Sequence, residues 1–206
     1  AHTEGTTQLS ASDDRVDPWR YGTGTTNLAV VTPQASVNFT NARIGVGQYM
    51  DVAVSVPDNQ RPPVLFNVSR KTGNALTPDT VTIDSASYSR NFRLSGVALG
   101  VDTVKVTAAG YLPDSGRVSV ELGTLGTPSG WTTNLTSDSV LVTLRTLGPE
   151  GAQRNVSAAT TFTLAADANL VFTKDGATIT SLTVPADAST ATFYMKRVSA
   201  GPANVS

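Results

Sequence analysis

The sequence predicts an all-β chain: two antiparallel β-sandwiches in tandem behind an N-terminal extension. Three observations carry that expectation. From Ser36 onward, apolar residues alternate with period two in short runs, the spacing that sends successive side chains to opposite faces of a strand. Turn residues punctuate those runs at regular intervals, and the strand order restarts after a Gly/Thr/Pro-rich stretch at 123–137. Ser and Thr together number 49 of the 206 residues, which suits exposed strand faces. Charged residues, at 15%, fall well below the ~25% of an average domain.

Residues 1–34 read as the extension. Ala1 to Asp17 is polar and aperiodic, and Asp17-Pro18-Trp19-Arg20-Tyr21-Gly22 supplies turn residues beside two aromatics. Leu28-Ala29-Val30-Val31 is the one short apolar piece, a strand ended by Pro33. Residues 35–123 form the first sandwich. Its strands are marked by Val37 and Phe39, then Val52, Val54 and Val56, then Phe66 and Val68, then Val81 and Ile83. Phe92 with Leu94, Val104 with Val106, and Val118 with Val120 and Leu122 complete the seven. Between them stand Asp58-Asn59 with Pro62-Pro63, Thr72-Gly73-Asn74, Gly100, Gly110 and Pro113-Asp114-Ser115-Gly116.

Residues 124–206 form the second sandwich. Val140, Val142 and Leu144 mark one strand, Phe162 and Leu164 another, and Leu170 to Thr173 runs into Lys174-Asp175-Gly176, where Asp-Gly predicts a two-residue hairpin turn. Ile179, Leu182 and Val184 follow. A constant offset of 101 residues superposes Thr82, Phe92, Val97, Gly100 and Val104 on Thr183, Phe193, Val198, Gly201 and Val205. These are strand positions and one turn glycine, the positions that a shared fold constrains. The same offset sends Arg117–Leu122 to 218–223, past Ser206. The second sandwich is therefore expected to lack its last strand, either as a segment of a longer chain or with the gap filled by a neighbour.

Leu182-Thr183-Val184-Pro185-Ala186-Asp187-Ala188-Ser189-Thr190-Ala191-Thr192-Phe193, followed by Val198-Ser199-Ala200-Gly201, resembles the bacterial immunoglobulin-like (Big-type) domains of surface and secreted proteins. Val104-Lys105-Val106-Thr107-Ala108-Ala109-Gly110-Tyr111 is similar to the penultimate strand and exit turn of the same family. The resemblance covers residues 35–206 and implies two immunoglobulin-like Greek-key β-sandwiches used as a spacer, adhesin stalk or lattice-building module. It implies a cell-surface or extracellular location and carries over no catalytic residue.

Composition narrows the chemistry. With no Cys and a single His, His2, the chain offers no thiolate nucleophile, disulfide or multi-His metal site. A Ser-His-Asp triad would have to rest on a residue next to the N-terminus. The expectation is a non-enzyme without a cofactor. Fifteen Lys+Arg against sixteen Asp+Glu make no field to attract nucleic acid. No apolar run approaches the ~20 residues of a spanning helix, so no membrane insertion is expected. The chain opens at Ala1 rather than Met, as one relieved of a signal peptide would and as a trimmed one would.

The candidate residues are these. Leu28, Ala29, Val30 and Val31 form a candidate donor strand that fills the gap in a neighbouring molecule's second sandwich and links copies into a homopolymer. The other expected partners are neighbouring domains of a longer chain and a glycan. Asn38, Asn67, Asn134, Asn155 and Asn204 head Asn-x-Ser/Thr sequons and are candidate glycosylation sites, although composition alone predicts about half that number. Trp19, Tyr21 and Trp131 are candidates for sugar stacking or for wedging domains together. Asp13, Asp14 and Asp17, with Glu4, are acidic but lack a calcium-loop pattern and read as a solvated tail. Arg61, Arg70, Lys71 and Arg90 read as solvated strand ends rather than a basic patch.

Overall fold

A computed structural model describes residues 4–12, 23–58, 61–126 and 139–199. Among them every regular element is a β-strand, as the alternation predicts. The first two, β1 (Gly5–Ala11) and β2 (Gly24–Val30), form an antiparallel hairpin whose residues are all exposed. The expected aperiodic segment through Asp17 is thus corrected at Gly5–Ala11. Leu9 and Ala11 alone carry its alternation, too little signal in a polar background, and pairing with Gly24–Val30 makes the strand.

The first sandwich contains β3 (Ser36–Val37), β4 (Asn41–Gly45), β5 (Gln48–Ser55), β6 (Val64–Arg70), β7 (Ala75–Leu76), β8 (Thr80–Ile83), β9 (Ser89–Gly96), β10 (Gly100–Thr107) and β11 (Asp114–Glu121). One sheet runs β4-β11-β10-β6-β8; the other runs β7-β9-β5 with β3 beside β5. The opening strand divides between the sheets: β3 pairs antiparallel with β5, and after a crossing β4 lies parallel to β11. That crossing interrupts the expected run through Phe39, which sits between strands and packs partly buried on the core. Val52, Val54, Phe92 and Leu94 from one sheet share a single cluster with Phe66, Val68, Val104, Val106, Val118 and Val120 from the other. Burying each such side chain contributes roughly 1.5–3 kcal/mol. Leu122, expected to close the last strand, lies beyond β11 and is exposed.

The second sandwich contains β12 (Thr124–Gly126), β13 (Ser139–Leu147), β14 (Asn155–Val156), β15 (Thr160–Thr163), β16 (Leu170–Lys174), β17 (Ala177–Ile179), β18 (Ser181–Val184) and β19 (Thr190–Arg197). One sheet runs β12-β13-β19-β16-β17, and β15 pairs with β18. The 101-residue offset carries the bounds of β8 and β9 onto those of β18 and β19. Pairing repeats too. Val52 stands opposite Phe92 as Val142 stands opposite Phe193, and Phe66 opposite Val81 as Phe162 opposite Leu182. Phe172 and Phe193 meet edge to face at 5.4 Å in the second core. The Asp-Gly turn forms between β16 and β17, with Asp175 at φ 51° and Gly176 at φ 82°, the two positive values that a type I′ turn requires.

Candidate functional site at the repeat junction

The two sandwiches share a sheet. Strand β14 of the second repeat pairs antiparallel with the start of β5 in a sheet of the first, Asn155 opposite Tyr49 and Val156 opposite Gln48. Its Val156 side chain is buried in the second core. One two-residue strand therefore adds backbone pairing to the first repeat while anchoring in the second. Beyond it, the Ser157 N–H donates to Gly47 O at 2.8 Å and the Ser157 hydroxyl to the same oxygen at 2.9 Å. Gly47 has φ +76°, and its turn between β4 and β5 directs that carbonyl outward to the second repeat.

Around this ladder five side chains close the junction. Gln48 is 4% exposed; its Oε1 accepts from Gly45 N at 3.2 Å and its Nε2 donates to Leu147 O at 3.0 Å, across the repeats. Space for the amide exists because Gly45 and Gly123 carry no side chain: a Cβ there would lie 2.4 and 2.7 Å from Gln48 atoms. The Arg93 guanidinium stacks over the Tyr49 ring and reaches Asp187 of the second repeat. Asn155 Nδ2 donates to Tyr49 Oη at 3.1 Å. Asp187, at φ 61°, also gives its backbone N–H to Val156 O at 2.9 Å, so the turn that presents its carboxylate is tied to β14.

Of the expected candidates, the structure brings one to this junction: Asn155, through the amide nitrogen that a glycan would occupy. Asn67 lies exposed on β6. Asn38 sits just after β3, its Oδ1 accepting from Ala53 N at 2.8 Å. Leu28, Ala29 and Val30 lie on β2, paired with Thr7, Thr6 and Gly5 of the same chain, and Val31 follows. Trp19, Tyr21, Trp131, Asn134 and Asn204 lie outside the described residues, as do His2, Asp13, Asp14 and Asp17.

The remaining charged and concave features are local. Arg61 caps Ile83 O and Ser87 O, and Arg70 binds Thr77 O and Asp79. A groove of about 510 Å³ runs between β8 and β9 with Thr80, Thr82, Asp84, Arg90 and Asn91 along it. Among the described residues no three His, Asp or Glu side chains converge to hold a metal.

The junction residues Gln48, Tyr49, Arg93, Ser157 and Asp187 are absent from the sequence-derived candidates. One signal was available: Gln48 occupies the inward phase of Met50, Val52 and Val54, where an uncharged amide needs partners.

No family model matches the chain, and no curated protein matches it. Solved structures resemble it. Domains 5–6 of the S-layer protein SbsC align over 80% of this chain and 85% of that one, at 16% identity and a TM-score of 0.39. Domains 4 and 5 of SbsC align over 47% of this chain and 58% of that one, at 21% identity and a TM-score of 0.35. Domains 4–9 of the same protein align over 94% of this chain at 16% identity and a TM-score of 0.40, of which this chain spans 31%.

Proposed function

We propose that the chain is a non-enzymatic structural module of a cell-surface or extracellular assembly, whose work is to hold two β-sandwiches at a set distance and angle. The pairing of Asn155–Val156 with Gln48–Tyr49 carries the reading. A flexible tether needs no contact between the bodies it joins, whereas here backbone pairing, a buried amide and a charged contact all cross the boundary. Buried polar groups fix one arrangement because any other leaves them unpartnered. In its finer form the same module joins further copies head to tail through a donated segment at its N-terminus. The other reading, an adhesin or carbohydrate-binding pair, draws on Trp19, Tyr21 and Trp131, and none of these lies among the described residues.

The test is a distance distribution across the junction. The chain has no native cysteine, so Lys105→Cys and Thr178→Cys, both exposed, accept spin labels without interference. A single narrow distribution is expected, broadening when Arg93→Ala and Ser157→Ala are added. A broad distribution in the otherwise unmodified chain overturns the reading.

A further inference from the structure

We propose that the chain bears tension along its length: the parallel β4–β11 ladder holds the first sandwich in shear, and the Gln48 amide, shared with the second repeat, latches the end of that ladder. The inference rests on the structural-module reading and adds to it a direction of load.

That direction follows from where the chain enters and leaves the first sandwich. It enters beside the start of β11: Leu112 N donates to Pro33 O at 2.9 Å, Ala35 N to Leu112 O at 3.1 Å and Val37 N to Asp114 Oδ2 at 2.8 Å. It leaves at Leu122, beside the end of β4, where Val46 N donates to Glu121 O at 2.9 Å. Between those points β4 and β11 run parallel through five registered pairs, from Asn41 opposite Arg117 to Gly45 opposite Glu121. A pull from the two sides of the sandwich therefore drags β4 and β11 in opposite directions along their common axis. Ladder bonds loaded that way stretch together and fail together, whereas two strands pulled apart from adjacent ends open one bond at a time.

Side chains reinforce the ladder against sliding. Ala42 and Ile44 of β4 share one core with Val118 and Val120 of β11, so a slip of one residue would turn an apolar set outward. Across the ladder, Arg43 Nε and Nη2 meet the two carboxylate oxygens of Glu121 at 2.9 and 2.5 Å, a two-point contact that fixes direction as well as distance.

The latch sits where the load leaves. Gln48 Oε1 accepts from the N–H of Gly45, the last residue of β4, while Nε2 of the same amide holds Leu147 O of the second repeat. Gly123, two residues past β11, packs against this amide: a Cβ on it would lie 2.7 Å from Gln48 Nε2 and 2.9 Å from Leu147 O. One residue further, Thr124 pairs with Leu147. The end of β4, the exit from β11 and the second repeat are thus joined through one buried side chain. Sliding of β4 past β11 has to break that joint as well as the ladder.

Pulling geometry gives the test. In the full chain, which has no native cysteine, Gln34→Cys with Leu122→Cys places handles on exposed positions at opposite poles and loads the ladder in shear. Gln34→Cys with Pro113→Cys, also exposed, places both handles at one pole and peels the ladder. Rupture in the shear pair is recognised by its length: residues 34–122 extend to about 290–320 Å at ~3.3–3.6 Å each, from about 33 Å folded at ~3.3 Å per strand residue. Each further bond broken in the same step multiplies the lifetime about 2- to 12-fold, so at equal force the shear pair should outlive the peeled pair about tenfold or more. Gln48→Leu should shorten the shear lifetime about 5- to 150-fold, as for buried polar groups left unpartnered. It should leave the peeled lifetime unchanged, because peeling starts at the other pole. Equal lifetimes in the two geometries, with the interrepeat distance still narrow, overturn the tension role alone. A Gln48→Leu effect that is absent in shear, or equal in both geometries, overturns the latch and makes the amide a support of the fold. A broad distance in the chain that keeps Gln48 overturns the module reading whatever the lifetimes.

Discussion

Arg93 reaches across the repeat boundary to Asp187, with 2.9 Å between guanidinium and carboxylate, while its plane rests 3.7 Å from the centre of the Tyr49 ring. The two side chains are 47% and 60% exposed. At that exposure water screens the pair, which contributes about 0.2–1 kcal/mol, with a cation–π term of about 0.5–1 kcal/mol beside it. Arg93→Ala should therefore leave each sandwich folded and weaken the coupling between them by about 1 kcal/mol. A double-mutant cycle with Asp187→Ala, read by denaturant unfolding, isolates the ion pair. A coupling energy near zero would show that backbone pairing alone sets the angle.

Gln48 bears more on the junction than its lack of charge suggests. Replacing it by Leu removes the donor to Leu147 O and the acceptor for Gly45 N, at a cost of about 1–3 kcal/mol for polar groups left buried. Gly45→Ala should do comparable damage by another route, since its Cβ would fall 2.4 Å from Gln48 Oε1 and 3.2 Å from Gly123 Cα. Both variants should broaden the interrepeat distance. Equal loss of stability with an unchanged distance would make Gln48 a support of the first repeat only.

The all-β class and most strands were legible in the sequence because alternation survives wherever one face of a sheet is buried. Val52, Val54, Phe92, Leu94, Val104 and Val106 are inward residues of that kind. Strands fixed by their partners were not. Asn41–Gly45 has only Ala42 and Ile44 in phase and exists through its parallel pairing with β11, and two-residue β14 has no period at all. The junction was hidden for the same reason, since Arg93 and Asp187 are 94 positions apart and each reads alone as an exposed charge.

The two phenylalanines at matched positions, Phe66 and Phe162, test how far the core of each sandwich is covered. Phe66→Ala should destabilise the first repeat by ~3–5 kcal/mol, the ordinary cost of emptying a buried aromatic site. Phe162→Ala should cost the second repeat clearly less, about 1–2 kcal/mol, because its ring is only partly buried and less contact is lost. Phe92→Ala and Phe193→Ala, both buried, should each cost ~3–5 kcal/mol in their own repeats. Urea titrations of the four variants check the ranking. Phe162 matching Phe66 would mean that the second core is fully covered in solution.

Asp102 gives the first repeat a pH dependence that the second does not share through any described counterpart. It stands in the inward phase of Val104 and Val106 and is 1% exposed. Burial alone would raise its pKa, but the N–H groups of Thr72, Ala75, Thr103 and Lys71 all donate to the carboxylate and lower it from 3.8 to about 2. A folded-state pKa below the unfolded one means that the stabilisation is complete above about pH 4 and is lost as pH falls towards 2. A shift of that size corresponds to about 2 kcal/mol. Those four donors also hold the 71–75 turn against β10, so protonation should loosen that turn first. Asp102→Asn should lower stability at pH 7 by a similar amount and flatten the acid limb of the first repeat's unfolding curve between pH 4 and 2. Thermal unfolding of both forms across that range, with amide exchange at Thr72 and Ala75, checks it; an unchanged acid limb in the variant would mean that other carboxylates carry the pH dependence.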